Sequence, residues 1–352
     1  MNVHLPDLAY DCQSCGKSCF TFEVEIRPED HQRLRTASGY VPVQELPGGR
    51  LYLARDERGR CSYLSLESRC GIHEQLGYEH KPQVCKDFPF RGWPTPDGVY
   101  IGLSFVCTSV FDNWGRSLEH HRVELENRFG QMTCDADLRP QLWENLDISW
   151  EQYLELERRA HQALVAPLDF NLLKLTLGLA RVGHTGRWDS LDETPRLSPE
   201  LGQLADHLVK ALTLFLETAG QPIELSQSLM QALEQNEPFF SRLLGHTIHP
   251  AEPGQRLPPW YPEQVVRYFK HVLFRKHLLE PPHLLGRMGM LPLVAHLLRF
   301  YTLASAQLAQ REPEPQDLQR ALELLEGHLM FHARGAERFW HYIGRRWWES
   351  QG

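Results

Sequence analysis

The chain has 352 residues, more than one compact core usually serves, and this predicts two domains. Apolar residues make up 42% and charged residues 23%, the balance of a globular chain, which argues against bulk disorder. A formal net charge of −8 gives no general electrostatic reason to bind nucleic acid or an anionic membrane, and no long Lys/Arg run marks a local patch.

The first residues carry neither the charged n-region nor the apolar h-region of a signal peptide. The longest hydrophobic stretches, such as Met290 to Leu298, are too short to span a bilayer. A cytoplasmic location without membrane attachment is therefore the expectation. Phe20 to Ile26 alternates apolar and charged residues and predicts a half-buried strand. Pro28-Glu29-Asp30 opens a short helix, with proline in the first turn. Leu51 to Leu53 predicts another strand, ended by the polar turn Asp56 to Gly59. Pro96-Asp97-Gly98 predicts a turn, followed by an apolar strand over Val99 to Val106. The rest reads as helix, over roughly 150–165, 170–182, 200–218 and 287–310. Further helical stripes run through Val265, Phe269, Val272 and Leu273, and through Leu318, Ala321, Leu322, Leu325 and Leu329. The predicted architecture is an α+β cysteine-rich metal-binding N-terminal domain (1–112), a connecting region (113–140) and an all-α helical C-terminal domain (141–352).

All eight cysteines lie before residue 135, and seven lie between Cys12 and Cys107. In a reducing compartment such crowding reads as metal-binding or catalytic rather than as a disulfide framework. The first element is Cys12-Gln-Ser-Cys15-Gly-Lys-Ser-Cys19: a CxxC turn converges two thiolates on one metal, and a third cysteine follows four residues later. The second is Cys61, then Cys70-Gly-Ile-His73, then Lys81-Pro82-Gln-Val-Cys85-Lys86-Asp87-Phe88-Pro89-Phe90, with Cys107 after the last strand. Thiolates are soft ligands that suit zinc or iron–sulfur clusters, and four are enough for one ion or one cubane. Seven thiols exceed one site, so either some are spectators or two sites exist, with His73 available as an eighth ligand. Sulfurs that share a centre should stand within roughly 4–7 Å of one another. The aromatic and proline residues after Cys85 would form a dry shell, which favours an iron–sulfur cluster, [4Fe–4S], over zinc.

These motifs resemble the YkgJ-like cysteine-cluster family, also written CxxCxxCC, whose domain is held to chelate zinc or iron. The Cys70-Gly-Ile-His73 step and the Lys81-Pro82-x2-Cys85-Lys86-Asp87-Phe88-Pro89 close match its pattern. The opening departs from it, with one extra residue before Cys19 and Phe20 in place of a second cysteine; Cys107 is the thiol available to make up the loss. The order of a cysteine domain and then helices is also similar to that of flagellin lysine-N-methylases, as are Cys107 and the segment from Val265 to Phe269 onward. That resemblance implies methylation of surface lysines with S-adenosylmethionine and a protein substrate such as flagellin. The residues themselves do not display this activity. No GxGxG loop follows a strand, and the spacing of Cys12, Cys15 and Cys19 reverses the CxxxCxxC of radical S-adenosylmethionine enzymes. The sequence leaves open a binding or scaffold module with a structural metal, and a redox or metal-handling protein.

Three further features read as structural. His328 and His332 share a helix face, yet a solvated or core-edge pair is commoner than a metal site there. Cys134 stands away from every motif and reads as a spectator thiol. The tail Arg345-Arg346-Trp347-Trp348 reads as a helix end packing its tryptophans on the bundle.

Overall fold

The computed structural model of the chain describes residues 2–13, 15–17, 23–46, 49–193, 198–218, 223–249, 256–330 and 336–352. It divides into two compact units, Met1–Trp93 with Gly98–Met132, and Pro94–Asp97 with Thr133–Gly352. The first mixes strands with short helices and the second is mostly helical.

In the first unit, helix α1 (Pro28–Ser38) has Pro28 where no intrahelical N–H is required, with Glu29 and Asp30 at its positive end. Strands β2 (Val43–Leu46) and β3 (Arg50–Leu53) form an antiparallel hairpin with Val43 opposite Leu53. The strand predicted from Phe20 to Ile26 falls only partly within the described residues. Phe20 to Phe22 lie outside the described residues, and the remainder makes a single bridge, Glu25 opposite Tyr52. The alternation still reports burial correctly, since Val24 and Ile26 are buried and Glu23 is exposed. Two tight loops follow, closed by the bridges Arg55–Cys61 and Leu64–Cys70. Helix α2 (Gly71–Leu76) and helix α3 (Gln83–Asp87) then carry the chain past the core of Val24, Ile26, Leu34, Leu53 and Ile72. Asp30, buried on α1, accepts the Gln83 N–H at 2.9 Å and so fixes the start of α3.

A second layer contains β1 (Val3–His4), β4 (Phe90–Thr95) and β5 (Gly98–Leu103), ordered β1–β5–β4 with β1 parallel to β5. Strand β5 ends at Leu103, earlier than predicted, because Cys107 N turns back to Ser104 O at 3.1 Å. Helix α4 (Thr108–Phe111) and helix α5 (Arg122–Phe129) complete this unit.

The second unit is not entirely helical. It holds two small hairpins, β6 (Gln141–Trp143) with β7 (Leu146–Asp147), and β8 (Phe239–Ser241) with β9 (His246–Ile248). Its helices are α6 (Trp150–Ala163), α7 (Leu168–Thr185), α8 (Pro199–Thr218), α9 (Ile223–Gln235), α10 (Trp260–Phe274), α11 (Leu284–Leu308), α12 (Pro315–His328) and α13 (Glu337–Glu349). A capping box starts α6, with Ser149 accepting from Gln152 N and the Gln152 side chain accepting from Ser149 N. Helix α11 is apolar all round because it is the centre, packed against α7, α8, α12 and α13. Close approach to α13 needs glycine: a Cβ at Gly344 would come within 2.4 Å of the His283 ring and 2.9 Å of the Trp143 ring. Trp347 is fully buried and donates through Nε1 to Gly289 O at 3.2 Å, while Trp348 stacks on Trp143. Among the described residues, no helix is long and apolar enough to cross a membrane.

The link from α10 to α11 places three polar side chains in succession inside the bundle. Arg275 reaches Glu326 on α12, Lys276 reaches both carboxylate oxygens of Glu157 on α6, and His277 faces Glu280. Lys276 holds a left-handed backbone, φ 59°.

Candidate metal centre

The opening cysteines are positioned by a long-range pairing. Residues 8–11 run beside 114–118, with Tyr10 N on Arg116 O at 2.8 Å, Asp11 N on Trp114 O at 3.0 Å and Leu118 N on Leu8 O at 3.1 Å. Asp11 pairs with Arg116 at 2.7 Å, and these hydrogen bonds hold its carboxyl down at about 2. The chain then meets α4: Gln13 N donates to Ser109 Oγ at 3.2 Å, and the Cys15 thiol donates to Thr108 Oγ1 at 3.8 Å. Cys12 and Cys15, both exposed, thereby come beside buried Cys107 at the start of α4. Burial pushes the Cys107 thiol up to about 11; the N–H groups of Val110 and Ser109 oppose this, and Cys15 and Cys12 add to it.

Cys61 and Cys70 close the two loops after β3; Cys61 belongs to the core that runs from Val24 to Ile72, and Cys70 and Cys85 of α3 each pack against that core. Burial raises the Cys61 thiol, and neighbouring Cys70 raises it further. The opening loop touches this second group as well. Gly16 has φ 65°, and a Cβ there would lie 2.5 Å from Ser68 O and 3.0 Å from Leu64 Cδ1. Cys15-Gly16 is thus seated on the turn that leads to Cys70, while Cys15 itself contacts the helix that follows Cys107.

Six of the seven predicted ligands therefore fall into two regions: Cys12, Cys15 and Cys107 at the start of α4, and Cys61, Cys70 and Cys85 along the core that contains Leu34 and Ile72; Gly16 touches the turn between Cys61 and Cys70. Cys19 lies outside the described residues. Among the described residues, no three His, Cys, Asp or Glu side chains are gathered closely enough to hold an ion. The chemistry of the donors fits a thiophilic metal: these are free thiols, and the two buried ones would serve as ligands by losing a proton to a soft cation. His73, one turn beyond Cys70, meets Tyr78 edge-on at 5.8 Å. Lys86 donates to Glu79 O, and Arg91 lies over the Trp93 ring. Cys134 belongs to the second unit and donates to Asp135 O. His328 is exposed at the end of α12, and His332 lies outside the described residues.

Sequence reasoning missed three residues around these thiols. Tyr10 meets Phe90 edge-on at 5.1 Å, and its phenol feels Cys107 and Cys12 as well as Tyr78 and Arg128. Tyr78 and Arg128 are joined by a 2.7 Å hydrogen bond. Only the position of Tyr10 two residues before Cys12 could have drawn attention to any of them.

Residues 11–108 match the model of the CxxCxxCC family, described as a domain proposed to chelate zinc or iron. The match contains all seven predicted ligands and ends before α4 is complete, so it says nothing of the helices that follow. No curated protein and no solved structure matches the chain.

Proposed function

We propose that the first unit binds a thiophilic metal, drawing its ligands from Cys12, Cys15, Cys19, Cys61, Cys70, Cys85 and Cys107. The preferred occupant is a [4Fe–4S] cluster, ahead of zinc. The observation that supports this reading is the seating of Cys15-Gly16 between α4, which follows Cys107, and the Leu64–Ser68 turn, which leads to Cys70. An iron–sulfur cluster would supply one-electron chemistry, whereas zinc would staple a small domain. A reducing, cytoplasmic setting keeps such thiols available. Anaerobic purification with iron, sulfide and zinc analysis and a visible spectrum is the test. A coloured protein with iron and sulfide is expected. A colourless protein with stoichiometric zinc would move the assignment to zinc, and a metal-free protein that takes up neither would remove the metal reading.

A finer reading is that the chain methylates lysines of a protein substrate such as flagellin, using S-adenosylmethionine. It is favoured by one feature, the order of a thiol-rich unit followed by a helical one. Incubating the metal-loaded protein with labelled S-adenosylmethionine, a reductant and flagellin should then transfer label to the flagellin. With the centre intact, absence of both binding and transfer leaves the metal as a structural element of a binding module.

A further inference from the structure

We propose that Arg128 is the counter-charge of the metal–thiolate centre, aiming its free guanidinium N–H groups at that centre. This rests on the metal reading above and adds a residue from beyond the segment that the family model matches. Arg128 lies on α5, with its side chain only 13% exposed. One terminal nitrogen, Nη2, is fully used: it donates to Tyr78 Oη at 2.7 Å and to Glu124 Oε1 at 2.7 Å. The other, Nη1, is buried with no hydrogen-bond partner among the described residues. The guanidinium lies 6.0 Å from the centre of the Phe90 ring.

The segments that bear Cys12, Cys70, Cys85 and Cys107 border this place. Tyr10 packs on Phe90, and its phenol lies within electrostatic reach of Arg128 and Tyr78 as well as Cys12 and Cys107. Tyr78, the partner of Arg128, meets His73 of the Cys70 helix and lies under Lys86, the neighbour of Cys85. Four thiolates around a dication carry a net charge of about −2, which is costly in a half-buried site unless a cation stands near. A buried charged donor without an acceptor is costly for the same reason. The two needs answer each other. N–H groups directed at ligating sulfurs are also how a protein tunes the affinity and potential of such a centre.

The test compares the metal-loaded full chain with Arg128→Met, Arg128→Lys and Glu124→Gln, each confirmed folded by circular dichroism. Metal retention is read by chelator competition and, where iron is bound, the reduction potential is measured. Arg128→Met should hold its metal about 10- to 100-fold more weakly, the loss typical of an outer-shell partner, and an iron centre should become harder to reduce. Arg128→Lys, which keeps the charge, should recover much of the affinity. Glu124→Gln leaves the guanidinium in place and should retain metal as the wild type does. A folded Arg128→Met protein with wild-type affinity and potential overturns the role of Arg128 while leaving the metal centre standing. A wild-type protein that binds no metal overturns both.

Discussion

Replacing Lys276 by methionine is expected to lower the stability of the chain by about 3–5 kcal/mol, the loss found when one partner of a buried ion pair is removed. The Lys276 side chain is 1% exposed and that of Glu157 is 12% exposed. The ammonium sits 2.7 and 2.8 Å from the two carboxylate oxygens, with the rings of Trp150 and Tyr153 about it at 6.0 and 5.8 Å. Burial already raises the Glu157 carboxyl, and Lys276 is the main influence opposing that rise. Without the ammonium, α6 must keep a carboxylate in the core with no countercharge, or protonate it. The left-handed backbone at position 276 carries a local cost of about 1 kcal/mol in wild type and variant alike, so it does not enter the difference. Urea unfolding followed by far-UV circular dichroism measures the effect, provided the slope against urea is unchanged. The double variant Lys276→Met with Glu157→Leu should recover most of the loss, because a well-packed apolar pair can replace a buried ionic one. A single variant costing less than about 1 kcal/mol would mean that the pair is hydrated in solution and holds nothing together.

What the sequence discloses of this fold depends on the length over which a pattern can repeat. Helices α6, α7, α8, α10, α11 and α12 run for 14 to 25 residues, long enough for a helical period to show. Helices α2, α3 and α4 have four to six residues, less than two turns, and nothing periodic can announce them. The hairpins β6–β7 and β8–β9, with strands of two or three residues, escape for the same reason. At the thiols, spacing groups Cys12 with Cys15, and Cys70 with Cys85. It cannot show that Cys12 stands beside Cys107, because that neighbourhood depends on the pairing of residues 8–11 with 114–118. Nor can it single out Arg128, an ordinary arginine in a charged helix until Tyr78 and Phe90 are folded against it.

Acidification from pH 7 to pH 5 is expected to remove about 4 kcal/mol of stability through two buried histidines. His283 caps α11: its Nδ1 accepts the Gly286 N–H at 3.0 Å, so the proton of the neutral ring sits on Nε2, facing His341 Nδ1 at 3.3 Å. A second proton would have to enter at Nδ1, against a backbone donor, and would break the cap. His277 is fully enclosed, with Glu280 3.3 Å from Nδ1 and Arg287 and Arg275 close by. Burial pushes both rings down to about 4, helped at His283 by His341 and Arg287, and opposed at His277 by Glu280. In the unfolded chain a histidine titrates near 6.5. Above about pH 7 neither state binds the protons and stability does not change on this account. As the pH falls through 6.5 the unfolded chain takes up two protons that the folded chain refuses until about pH 4, so stability declines across that window. Each histidine contributes about 2 kcal/mol by pH 5. His283→Asn keeps an acceptor for the Gly286 N–H but cannot titrate, so it should remove about half of the pH dependence. Urea unfolding at pH 8, 7, 6 and 5 decides the matter, and equal stability at pH 7 and 5 would show that these imidazoles accept protons in the folded chain as readily as in the unfolded one.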